Sequence, residues 1–209
     1  SLGLVGSEMC IRDRHKGLHW TALGLLTVAF IRLALNPGVL SYHARGEIPI
    51  LNWFLYTYGV VAAAQFAAIK LIRPPHAQLG RINLHGLFGT FGGVLLFLLL
   101  NIEIADYFTE PDEPYITLMF SGNFARDMCY SIGWGLFSLG LLSIGFKLES
   151  RRVRFAGIGL MVMTLLKLFL HDLANIDSIY RIGALIAVAI IALAASFLYQ
   201  RFLARDFNP

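Results

Sequence analysis

Six apolar runs, each close to the thickness of a lipid bilayer, constrain this chain more than any other feature. They span about 17–35, 48–69, 84–102, 128–146, 155–170 and 182–199. A hydrocarbon core of about 30 Å takes roughly 20 residues of α-helix at 1.5 Å rise each. The first run carries Arg32 late and stops at Asn36-Pro37-Gly38; the second, fourth and sixth hold no formal charge. The third has His85 and Asn101 as its strongly polar members, and the fifth encloses Lys167. A soluble helix would show a polar face at a spacing of 3.6 residues, and the second, fourth and sixth runs have none. Barrel strands alternate in polarity and are shorter, so strands are not expected. The expected fold is therefore all-α: a polytopic membrane protein, a bundle of about six transmembrane helices.

Composition agrees at the points where it decides something. Charged residues make up 14% of the chain, against about 25% in soluble proteins, too few to cover a water-facing surface. The hydrophobic share of 57% excludes a disordered chain. The formal net charge of +4 becomes informative once the charges are placed. Lys70, Arg73 and Arg81 lie between the second and third runs; Lys147, Arg151, Arg152 and Arg154 lie between the fourth and fifth; Arg201 and Arg205 follow the sixth. The other loops are acidic or balanced, above all the stretch with Glu103, Asp106, Glu110, Asp112 and Glu113. Basic loops face the cytoplasm, so both ends are expected there. The lipid bilayer is then the partner, and nucleic acid is not. Two cysteines, Cys10 and Cys129, build no disulfide framework.

Residues 1–14, SLGLVGSEMCIRDR, resemble translated sequencing-adapter read-through. They lack a basic segment leading into an apolar one, so they are no signal peptide. The expectation is a non-native tail over 1–14. A single transmembrane domain over 15–209 then represents the C-terminal part of a longer protein whose further helices would be partners.

Polar groups within apolar runs are the candidates for chemistry, because a central Lys, Arg or Asp costs roughly 2.5–3.5 kcal/mol to insert. Lys167 lies 13 positions beyond Arg154, about 20 Å along a helix and so in the outer third of the bilayer. His171 and Asp172 follow it, Arg181 opens the sixth run, Arg126 and Asp127 open the fourth, and Glu103 closes the third. In the expected topology Lys167, His171, Asp172, Arg181, Arg126 and Glu103 gather at the extracytoplasmic side. Lys167, Asp172 and Arg181 are expected to form a polar network there. Taken singly, these residues also read as snorkelling or anchoring side chains. The acidic run from Asp106 to Glu113 reads as a solvated loop, and His85 as a hydrogen-bonded interfacial histidine. Gly89 with Gly93, Gly183 with Ala187, and Ala192 with Ser196 are expected to mark close helix contacts, within this chain or with further helices of the longer protein, and Asp177 and Ser178 to cap the sixth run. No metal ligand set, GxSxG, phosphate loop, CxxC or HExxH occurs, so neither metal nor cofactor is expected.

The second half carries a resemblance. Arg126-Asp127 with Tyr130 and Trp134, the basic turn from Arg151 to Gly157, and the stretch from Leu165 to Phe202 resemble bacterial membrane proteins grouped as domain of unknown function 2339. Lys167 with Asp172, Tyr180-Arg181 and Tyr199-Gln200-Arg201-Phe202 are its most specific elements. The resemblance implies a C-terminal part of a longer multi-spanning protein of a bacterial cytoplasmic (inner) membrane and supplies no catalytic residue. Three functions fit: a structural or envelope-associated membrane protein, a transporter or permease subunit, and a membrane-embedded enzyme acting on a lipid-linked or cell-envelope substrate at the outer face. A transporter would place its polar groups near the midplane; their position toward one side favours the other two.

Overall fold

The structure, a computed structural model, describes residues 2–42, 51–72, 78–79, 82–110, 113–116, 118, 123–169 and 178–206. Among these it consists of six helices and one short ladder. In chain order they are α1 (Leu2–Leu35), a 3-10 turn (Pro37–Ser41), α2 (Trp53–Leu71), β1 (Gln78–Leu79), β2 (Ile82–Asn83), α3 (Leu84–Phe108), α4 (Phe124–Lys147), α5 (Arg151–Lys167) and α6 (Ser178–Asp206). Three of them, α2, α3 and α4, are long and apolar enough to cross a membrane. The apolar stretches of α1 and α6, Trp20–Leu35 and Ile186–Gln200, are shorter. The strands β1 and β2 lie between the apolar runs and pair antiparallel, Gln78 with Asn83 and Leu79 with Ile82, just ahead of α3. The helix α1 begins at Leu2 and so includes most of the expected tail. Two units make up the chain, Ser1–Leu118 and Met119–Pro209.

Asparagine sets where the helices start. Asn52, Asn83 and Asn123 each stand ahead of an apolar helix, in extended conformation, and accept from a backbone N–H of its first turn. A short side-chain oxygen there satisfies a donor that the helix leaves open. This is why α2 starts at Trp53 rather than near residue 48, and α4 at Phe124 rather than near 128. Helix α3 outruns its expected end at 102 and continues to Phe108, carrying Glu103 and Asp106 into helical positions. The expected cap Asp177 lies outside the described residues, as does the side chain of Ser178.

In the first unit, α1, α2 and α3 share a core of Leu33, Phe54, Tyr58, Ala62, Leu95, Leu99, Ile102 and Ala105. A second cluster, Leu23, Ala68, Ile72, Leu84 and Phe88, packs at the other end of α2. Two polar side chains cross from α2 to α1: the Tyr58 hydroxyl donates to Leu33 O at 2.9 Å, and Gln65 Nε2 donates to Leu26 O at 3.0 Å. As the α2 number rises by seven the α1 number falls by seven, so the helices run antiparallel. The Leu33 carbonyl would ordinarily bond the N–H four residues on, but that residue is Pro37, which has none. Tyr58 supplies the missing donor.

The second unit is built on α4. Its turn into α5 is a Schellman arrangement. Glu149 N–H donates to Phe146 O, Ser150 N–H donates to Gly145 O, and Glu149 takes φ 51, the left-handed region. Two glycines let α4 and α5 touch at backbone distance. A Cβ on Gly145 would meet Arg154 N at 2.8 Å, and one on Gly157 would meet Leu142 N at 3.1 Å. Among the described residues the closest crossings lie away from the glycine pairs expected to mark contacts. A Cβ on Gly93 or Gly183 would meet nothing within 4 Å, and one on Gly89 only Ile69 at 3.6 Å. The tight site on α3 is Gly92, against the Phe66 ring, one position away from the GxxxG pattern. Spacing finds glycines on one helix face, and the partner helix decides which of them it crosses.

Gly145→Ala should therefore lower stability by about 1–3 kcal/mol, while Gly159→Ala, whose added Cβ meets nothing within 4 Å, should be neutral or stabilising by up to about 1 kcal/mol. Thermal melting of the two variants in detergent checks this. Equal effects would contradict the close crossing.

Candidate functional site

Two clusters of buried polar side chains stand out, one in each unit. The first lies where α2 begins and α3 ends. Asn52, 3% exposed, uses its Oδ1 to cap α2 by accepting from Leu55 N–H at 2.9 Å. Its Nδ2 donates to Asp106 Oδ2 at 2.9 Å and to Glu103 Oε2 at 3.3 Å. Spacing of three along α3 places both carboxylates on one face, and a single amide joins them to the start of α2. Asp106 is 2% exposed, which corrects its placing in a solvated acidic loop. Helix α3 runs on past it, and Asn52 gives its carboxylate a buried donor. The second oxygen of Glu103, Oε1, is buried with no hydrogen-bond partner among the described residues. The cluster is a pair of acids bridged by the Asn52 amide, with one open acceptor on Glu103.

The second cluster joins α5 to α4. From the last turn of α5, Lys167 Nζ donates to Asp127 O at 3.1 Å and to Ser131 Oγ at 3.0 Å. The Ser131 hydroxyl in turn donates to Asp127 O at 3.3 Å, closing a triangle. Hydrogen bonds from a charged donor contribute about 1.5–3 kcal/mol each. Two of them suffice to offset the roughly 2.5–3.5 kcal/mol of inserting a lysine. The dipoles agree with this: Lys167 is a cation in the last turn of α5, and Asp127 an acid in the first turn of α4. Arg126 and Tyr130 are buried beside it, and Tyr130 lies within electrostatic range of both Arg126 and Asp127. Just past Lys167, at 168–169, the helix widens into a π-helical turn. A small apolar crevice lined by Met128, Ile132, Leu168, Ala187, Val188 and Ile191 opens beside Ser131.

Of the residues expected to gather, Lys167 and Arg126 are brought to one place, through Asp127 and Ser131. Glu103 belongs to the first unit, where Asn52 is its donor. His171 and Asp172 lie outside the described residues, and so does the side chain of Arg181, whose backbone sits in α6. His85 Nε2 lies 2.9 Å from Ile72 O, an interhelical hydrogen bond in keeping with the interfacial reading. Among the described residues no group of three or more His, Cys, Asp or Glu could hold a metal ion.

The family model described as "Predicted membrane protein (DUF2339)" matches residues 5–202. The chain belongs to the DUF2339 family. No curated protein and no solved structure matches it. As a DUF2339 membrane protein with three helices of spanning length, it meets lipid with its outer faces. Along α6, Ile182, Ile186, Ile190, Leu193 and Phe197 form an apolar stripe, every member more than half exposed. Sequence reasoning missed Asn52 and Ser131. Asn52 had a local signal, an asparagine directly ahead of an apolar helix with two acids three apart on another. Ser131 had none, since its partner Lys167 is 36 positions away.

Asn52→Ser keeps a capping oxygen and loses the amide donor, whereas Asn52→Ala loses both. Stability in detergent should fall in the order wild type, Asn52→Ser, Asn52→Ala. The Ala–Ser gap should be the cap's share of about 0.5–2 kcal/mol. Identical melting of Ser and wild type would mean that the carboxylates do not depend on Asn52.

Proposed function

We propose that this DUF2339 chain is a structural or envelope-associated integral membrane protein: a six-span bundle in the bacterial inner membrane with both ends cytoplasmic. The observation that carries this reading is where the polar side chains spend their hydrogen bonds. Tyr58, Gln65, His85 and Lys167 each reach a backbone carbonyl of another helix: Leu33, Leu26, Ile72 and Asp127 in turn. Groups fixed on backbone serve helix association, and a transport path or reaction centre would need them turned toward a cavity. The alternating basic loops support the orientation, and the apolar run at 155–170 with the shorter apolar stretches of α1 and α6 supports six spans, alongside the three helices of full spanning length.

A second reading has one observation in its favour. Glu103 and Asp106, with Glu103 Oε1 open, form a buried acid pair suited to proton or cation handling. A transporter, or an enzyme acting on an envelope substrate, would use it.

Isosteric substitution separates the two. In a strain lacking the gene, Glu103→Gln with Asp106→Asn should restore resistance to osmotic and detergent stress as well as wild type does. Failure to complement by a variant that folds and inserts normally would favour the transporter or enzyme. Orientation is read by cysteine labelling in a Cys10→Ser, Cys129→Ser background. An impermeant thiol reagent on intact cells should label Glu113→Cys and leave Arg152→Cys unlabelled; the reverse pattern would invert the topology.

A further inference from the structure

The turn between α4 and α5 concentrates positive charge where helix chemistry disfavours it. Lys147, Arg151, Arg152 and Arg154 stand within eight positions against one acid, Glu149. Three of these cations occupy the first turn of α5, which has no acid of its own and no side-chain bond from its cap residue Ser150. Cations at a helix start oppose its dipole, so their placement does not serve the stability of α5. Arg154 is partly held by the fold, its guanidinium carbon 5.3 Å from the Phe146 ring centroid. Lys147, Arg151 and Arg152 are exposed. Two large apolar side chains flank them in the open: Leu148, 67% exposed, and Phe155, 71% exposed.

Cations interleaved with exposed apolar side chains, at the end of a helix long enough to span a membrane, match the chemistry of a lipid headgroup. The phosphodiester meets guanidinium groups in bidentate fashion, and the glycerol and upper acyl region meets Leu148 and Phe155. The net positive charge selects against choline headgroups, whose ammonium would face the same arginines. We propose that the α4–α5 turn is a docking surface for anionic phospholipid of the phosphatidylglycerol type. The proposal rests on α4 spanning the membrane and not on which leaflet the turn faces.

The test uses the full chain, purified in neutral detergent and titrated with dioleoyl phosphatidylglycerol or dioleoyl phosphatidylcholine. Lipid retained per chain is read by native mass spectrometry. Wild type should retain at least about threefold more of the anionic lipid, and Arg151→Gln with Arg152→Gln should bring the ratio close to one. Both arginines are exposed, so the variant should keep its melting temperature; Arg151→Lys with Arg152→Lys should keep most of the preference. Equal retention of the two lipids by wild type, or an undiminished ratio in the Gln variant, overturns the proposal. So does loss of the preference to millimolar inorganic phosphate, which would mark a site for free phosphate. Failure of the spanning reading shows separately, as wild-type chain released from membranes by alkaline carbonate, and it removes the docking surface with it.

Discussion

Within hydrocarbon no water completes a hydrogen bond, so every backbone carbonyl that a helix leaves open must find a protein donor. The contact between Tyr58 and Leu33 follows from that rule. Pro37 ends α1 and withdraws the N–H that Leu33 O would have accepted, and a tyrosine from α2 takes its place at 2.9 Å. Gln65 repeats the contact two turns along, on Leu26 O. Together they fix the antiparallel pairing and register of α1 and α2, on which the core around Leu95 and Leu99 of α3 is assembled. Hydrophobic burial cannot set that register in lipid, because the solvent is as apolar as the core.

The second unit meets the same demand with different residues. Gly145 and Gly157 bring the backbones of α4 and α5 into contact, and Lys167 closes the end of the hairpin on Asp127 O and Ser131. A cation held by a carbonyl and a hydroxyl is positioned, and its insertion cost is offset. Both units therefore place polar side chains on backbone carbonyls of a neighbouring helix. The Asn52, Glu103 and Asp106 cluster departs from the pattern, since there side chains meet side chains and one acid oxygen stays open.

The helical class, the membrane setting and the family were legible in the sequence, because length and apolarity of a run depend on local residues alone. Helix boundaries were legible only in part. Asn52 and Asn123 shift the starts of α2 and α4, and Asp106 extends α3, because capping and a distant donor override the point where apolarity ends. The site was least legible. Lys167 stood out by its insertion cost, while Ser131 became its partner only through the α4–α5 crossing that Gly145 and Gly157 permit. Asp106 resembled any solvated acid until Asn52, 54 positions earlier, was found beside it.

The central claim is that side chains complete the backbone bonding of neighbouring helices, and two tyrosines on one helix test it most directly. Tyr58 is 3% exposed and bonded to Leu33 O, while Tyr56 is 62% exposed. Equilibrium unfolding of Tyr58→Phe and Tyr56→Phe in the same detergent removes one hydroxyl from each site. The account predicts a loss of about 1–2 kcal/mol for Tyr58→Phe, which strands the Leu33 carbonyl, and a change within about 0.5 kcal/mol for Tyr56→Phe. Equal stability of the two variants would contradict it.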